Sequence, residues 1–93
     1  MSKKKEDIEE IKELKQKVQE GKAIIGKERV VKALQSGSVT KIYMANNCPD
    51  KLKESILHYA KLAEVDVVGL DQDNEELGII CKKNFFIAVV GII

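Results

Sequence analysis

The feature that most constrains how this chain can fold is the regular exchange of two hydrophobic periods along it. Residues 3–20 carry Ile8, Ile11, Leu14 and Val18 at steps of three and four, with mostly Glu and Lys on the other face. That stripe predicts an amphipathic helix, and Gly21 is a natural stop for it. Ala23-Ile24-Ile25 is an apolar run long enough only for a brief strand, followed by Gly26 and a second helical pattern over about 28–36 (Val30, Val31, Ala33, Leu34) that Gly37 ends. Lys41–Ala45 is β-branched and aromatic, hence a strand. Pro49 suits the first turn of a helix over about 49–64, whose apolar side is Leu52, Ile56, Tyr59, Ala60 and Ala63. Val65–Leu70 reads as a strand, and Asp73 or Asn74 can cap a short helix through about Ile80. Phe86–Ile93 is a last apolar run, continuous enough to be buried on both faces.

The order α-β-α-β-α-β-α-β predicts one sheet with helices on both faces, a three-layer α/β/α sandwich around a four-stranded mixed sheet. Ninety-three residues form a single domain, 1–93, near the lower limit for a core without disulfides or metals. Cys48 and Cys81 are far apart and stand beside a single histidine, His58, so the paired spacing of a tetrahedral zinc site is missing and both thiols are expected to be free. His58 falls among polar neighbours and is expected to be exposed. No run approaches the roughly 20 apolar residues that span a bilayer, and the start of the chain lacks a secretion pattern, so a cytoplasmic protein is expected, with no membrane partner.

Enzymatic chemistry is missing its components. No Gly-x-Gly-x-x-Gly follows the first strand. Gly26-Lys27 precedes Glu28 where a phosphate-binding loop needs Ser or Thr. One histidine without a carboxylate partner makes no nucleophile–base pair. Asp71, Asp73, Glu75 and Glu76 do not have EF-hand spacing and are better read as capping a helix and favouring its dipole. No catalytic residue, metal or cofactor is expected.

Charge is segregated although the net value is only +1. Lys22, Lys27, Arg29, Lys32 and Lys41 are opposed in their stretch only by Glu28, and Lys82-Lys83 recur later. Glu64 to Glu76 holds six acids and no base. Charge alone fits ordinary solvated faces at least as well as a cationic side. Gly26 stands at a strand-to-helix junction where free backbone N–H groups welcome an anion, and Arg29 and Lys32 share a helix face. This fits phosphate and base-edge contact, and equally a solvated helix start.

Resemblance separates the two. Ile25-Gly26-Lys27-Glu28-Arg29-Val30-Val31-Lys32-Ala33-Leu34-Gln35-Ser36-Gly37 resembles the first motif of the L-seven-Ae/L-thirty-e family of kink-turn-binding ribosomal proteins. Lys41–Ala45 with Asn46-Asn47-Cys48-Pro49-Asp50 resembles the family's second strand and the loop that follows it. Ile56–Ala63 is similar to the Tyr-Tyr-Ala-x-Leu helix of the L-thirty-e branch, and Glu76-Leu77-Gly78 with Cys81-Lys82-Lys83-Asn84-Phe85 to the Leu-Gly motif and the loop before the last strand. These motifs run in order from about residue 5 to the end.

The resemblance implies an α/β/α fold and a ribosomal protein of the large subunit, archaeal or archaeal-like, that clamps a kink-turn in rRNA. A non-ribosomal kink-turn protein of the guide-RNP type and a protein-interaction module on the same fold are the alternatives. Carried over, Gly26 approaches the RNA backbone and Lys27, Glu28, Arg29 and Lys32 face the sheared G·A pairs. Asn46 and Asn47 line the neighbouring loop, while Cys81, Lys82, Lys83 and Phe85 flank an extruded nucleotide. Other ribosomal or RNP proteins are possible partners. Phe85 is either a stacking surface, worth about 1–3 kcal/mol, or a core aromatic, with Phe86 the better core candidate of the two. The chain departs from the pattern in three places. Glu28-Arg29 replaces the Asn-Glu of one branch and matches the basic residues of the other only at Arg29, His58 replaces the first Tyr, and Lys82 replaces a Gly.

Overall fold

The computed structural model describes the backbone of residues 2–93 and the side chains of residues 10–93. The side chain of Ile8, part of the first helical stripe, lies outside the described residues.

Eight elements follow the expected order: α1 (Ser2–Gln19), β1 (Ala23–Ile25), α2 (Lys27–Ser36), β2 (Lys41–Met44), α3 (Asp50–Ala63), β3 (Asp66–Gly69), α4 (Asn74–Ile80) and β4 (Val89–Ile92). Their ends have local causes. Helix α2 stops at Gly37, whose φ of 76° lets its N–H reach the Leu34 carbonyl at 3.2 Å while Ser38 N–H reaches Ala33 at 2.9 Å. Helix α4 starts with a capping box: Asp73 Oδ1 accepts from Glu76 N–H at 2.9 Å, and Glu76 Oε1 accepts from Asp73 N–H at 3.2 Å. Pro49 sits one position before α3 and accepts the first helical bond from Lys53 N–H at 2.8 Å.

The sheet order is β1-β4-β2-β3. β4 runs antiparallel between β1 and β2, and β3 lies parallel to β2. Strands β1, β2 and β3 therefore point the same way, and their carboxyl ends lie along one edge of the sheet. Residues alternate across it. Ile42, Met44 and Val89 join Val30 and Leu34 of α2 and Ile56 of α3 in one core. Tyr43 and Val90 join Leu14 of α1 and Leu77 of α4 in the other. This is the three-layer arrangement. Among the described residues, no helix is long and apolar enough to cross a membrane.

The last strand is shorter than expected. Its ladder can extend only as far as its neighbours, and Val89 to Ile92 pair with Met44 to Lys41. Residues 86–88 instead join the carboxyl edge: Ile87 N–H donates to the Asn74 carbonyl at 3.0 Å, and the Ala88 carbonyl accepts from Ala45 N–H at 2.8 Å. Alternation along this stretch buries Ile87, at 3 % exposure, and leaves Phe86 67 % exposed. Phe86 is not a core residue, and neither is Phe85.

Candidate nucleic-acid interface

A chain turning from a parallel strand into a helix delivers the helix N-terminus to the carboxyl edge of the sheet. Three such turns occur here, so the amino ends of α2, α3 and α4 share one edge. The first backbone N–H groups of a helix have no intrahelical acceptor and carry the positive end of its dipole. Between these ends lies a groove of about 400 Å³. Gly26 and Lys27 of the first turn border it, as do Pro49 and Lys51 of the second and Asn74 of the third. Phe85 and Phe86 form its far wall, 54 % and 67 % exposed.

Gly26 has a φ of 111°, a conformation that side chains with a Cβ rarely adopt, and its carbonyl accepts from Val30 N–H at 2.9 Å. Burying Val30 completely turns Lys27, Glu28, Arg29 and Lys32 outward, and all four are exposed. Among the described residues none of the four is in an ion pair. Lys27, Glu28 and Lys32 also border a second hollow of about 620 Å³ against Leu52 and Tyr59 of α3, which shares Lys27 and Leu52 with the first.

Asn46 and Asn47 hold the edge together. Asn46 donates from Nδ2 to the Asp71 carbonyl and from its backbone to the Gln72 carbonyl at 2.9 Å. Asn47 makes a reciprocal pair with Asn74, accepting from its N–H at 2.9 Å and donating to its Oδ1 at 3.0 Å. These bonds tie the loop after β2 to the loop after β3, and so set the start of α3 against the start of α4.

The remaining residues of the expected site are distributed differently. Cys81 is 1 % exposed and belongs to the α1/α4 core, where burial pushes its thiol up to about 11. It cannot touch a nucleotide from there. Lys82 and Lys83 are exposed but border a separate groove against Lys15 and Val18 of α1. Lys41 leaves the cationic set as well: its ammonium lies 3.2 Å from Glu13 Oε1 and 3.2 Å from Glu10 Oε2. Glu13 also accepts from the buried Tyr43 hydroxyl at 2.9 Å, and the hydrogen bonds from Tyr43 and Lys41 hold its carboxyl below the usual carboxylate range.

Lys51, Asn74 and Phe86 are groove residues that reading the sequence did not select. Nothing in a one-dimensional pattern marks Lys51 or Asn74, because each is an ordinary first-turn residue until the strand order brings the helix starts together.

The sequence pattern of the ribosomal protein L7Ae/L30e/S12e/Gadd45 family matches residues 9–93. The chain belongs to that family. Its curated relatives include the large ribosomal subunit protein eL30 of Sulfurisphaera tokodaii, 33% identical over 81 residues that cover 87% of this chain and 76% of the relative. The eL30 protein of Methanothermobacter thermautotrophicus is 37% identical over 73 residues, 78% of this chain and 74% of the relative. Among solved structures, a protein of unknown function from Bacillus halodurans superposes with a TM-score of 0.78 at 24% identity, covering 85% of this chain and 78% of that one. The 15.5kD RNA binding protein of Giardia lamblia superposes with a TM-score of 0.77 at 19% identity, covering 91% and 71%. At these identities the two structures speak for the fold. Within the family pattern, the Leu-Gly pair at Leu77-Gly78 acquires a physical meaning here: a Cβ on Gly78 would collide with the Phe85 carbonyl oxygen.

Proposed function

We propose that this family member is an RNA-binding, non-catalytic protein of the large ribosomal subunit, working in the cytoplasm, that holds a kink-turn in rRNA against the carboxyl edge of its sheet. One observation carries the reading: the uncapped amino ends of α2 and α3, with Lys27 and Lys51, converge on a groove walled by two exposed phenylalanines, while the start of α4, its amides held by Asp73 and Asn47, closes the border at Asn74. The cationic and amide-rich side suits a phosphate backbone, and the aromatic wall suits an unstacked base, whose faces both need covering. A kink-turn offers the two together, because its bend opens the groove beside the G·A pairs and extrudes a nucleotide. In this reading Gly26 admits the backbone, Lys27, Glu28, Arg29 and Lys32 meet the helix beside the kink, and Phe85 with Phe86 covers the extruded base. Asn46 and Asn47 contribute by holding the edge in register.

The test is a titration against a kink-turn RNA, the same RNA with its G·A pairs replaced by G·C, and a straight duplex. The kink-turn is expected to bind tightest, with a log–log salt slope near −3 if about four phosphates are neutralised. Equal binding of all three RNAs, or a flat salt response, overturns the proposal. Co-sedimentation with large subunits distinguishes ribosomal membership from a guide RNP.

A further inference from the structure

We infer that the groove between α1 and α4 is a docking surface for an acidic amphipathic segment of a neighbouring protein. It encloses about 540 Å³ on the layer opposite α2 and α3. Val18 and Ile80 line it half-buried, and Ile79 stands beside them 68 % exposed. Around this aliphatic strip are Lys15 and Gln19 on α1 and Lys82 and Lys83 after α4, and among the described residues no acidic side chain lines the groove. Three lysines bordering apolar surface select their complement, carboxylates flanking aliphatic side chains.

Two properties favour a protein segment over RNA. A phosphate backbone would satisfy the three lysines but offers nothing apolar to cover Ile79, whereas a helix with Leu or Ile at i, i+3 and i+4 covers it and carries its acids outward to the lysines. The groove also stands apart from the carboxyl edge, since the amino end of α4 reaches that edge and Lys82 and Lys83 follow its other end.

A fluorescein-labelled synthetic helix, with leucines on one stripe and glutamates beside it, serves as the probe, and its partner is the full chain labelled for amide NMR. Amide shifts are expected in residues 15–19 and 79–83 and not in 26–32 or 47–52. The doubly reversed variant Lys82→Glu/Lys83→Glu should bind the helix about tenfold more weakly while keeping its melt and its affinity for kink-turn RNA. A matched helix with lysines in place of the glutamates should not bind. The inference is overturned if the acidic helix leaves residues 15–19 and 79–83 unmoved. It is overturned equally if the double reversal weakens RNA binding as much as helix binding, which assigns the groove to RNA. Dimerisation of the free chain that the double reversal abolishes also overturns it, the occupant then being a second copy. The amide shifts, the matched lysine helix and the dimerisation readout are all taken without RNA, so they stand whether or not the carboxyl edge binds a kink-turn.

Discussion

The carbonyl of Phe85 occupies the place where a side chain on Gly78 would begin, so the loop carrying the two exposed phenylalanines lies directly on α4. The contact is reinforced by Lys83 N–H donating to the Gly78 carbonyl at 2.9 Å. Loop and helix are one unit, and the position of the aromatic wall depends on a missing methyl group.

Gly78→Ala is therefore expected to push the loop off the helix. Forcing an extra carbon into a closed contact costs about 1–3 kcal/mol, which urea unfolding will read as a lowered midpoint at constant slope. RNA affinity should fall as well, because Phe85 and Phe86 move with the loop. A variant with unchanged stability and RNA binding would show that the loop relaxes freely and that its position does not matter.

Lys82 presents the opposite case. A left-handed backbone costs a residue with a Cβ roughly 1–2 kcal/mol, and glycine removes that cost while adding freedom to the unfolded chain. Lys82→Gly should then stabilise the protein by about 0.5–1 kcal/mol, seen as a higher melting temperature. A lower melting temperature would mean that the Lys82 side chain packs favourably enough to outweigh its backbone.

The Glu13–Tyr43–Lys41 cluster predicts a pH dependence of defined sign. The Glu13 carboxyl is depressed by the hydrogen bonds from Tyr43 and Lys41, so its contribution is present above the ordinary carboxylate pKa near 4.3 and fades as pH falls below it. Tyr43→Phe, which keeps the buried ring and removes the 2.9 Å bond, should cost about 1 kcal/mol at neutral pH because Glu13 remains partly solvated. Measured against pH, the difference between wild type and variant should shrink toward pH 3, a carboxyl range given by the reference values. A difference that stays constant from neutral to acid places the role of Tyr43 in packing alone.

Arg29 is exposed, unpaired among the described residues, and one turn from the groove. A planar fork that meets both acceptors of a guanine is worth about 1–3 kcal/mol, so Arg29→Ala should lose that much on kink-turn RNA and little on a straight duplex. Glu28→Gln should change affinity less, since removing a carboxylate near phosphates also removes a repulsion. If Arg29→Ala lowers both affinities alike, Arg29 touches only phosphate and base reading belongs elsewhere on the edge.

Periodicity by itself determined the eight elements, their order and the three layers, because a stripe of Ile11, Leu14 and Val18 and an alternation such as Ile42, Tyr43, Met44 can each be buried in only one way. It also located the turn at Gly26, whose cause is local, and narrowed the cap of α4 to Asp73 or Asn74, of which the structure uses Asp73. Tertiary structure decided everything that depends on which ends meet. The strand order β1-β4-β2-β3 set Lys51 and Asn74 beside Gly26, and Glu10 and Glu13 of α1 drew Lys41 out of the cationic stretch. The four-residue ladder of β4 released Phe86 to solvent, and the close approach at Gly78 carried Phe85 to the groove while Lys82 and Lys83 faced α1. A side-chain period reports only which side of its own element a residue faces. Which neighbour waits on that side is fixed by contacts between residues distant in sequence, and those are established only when the sheet closes.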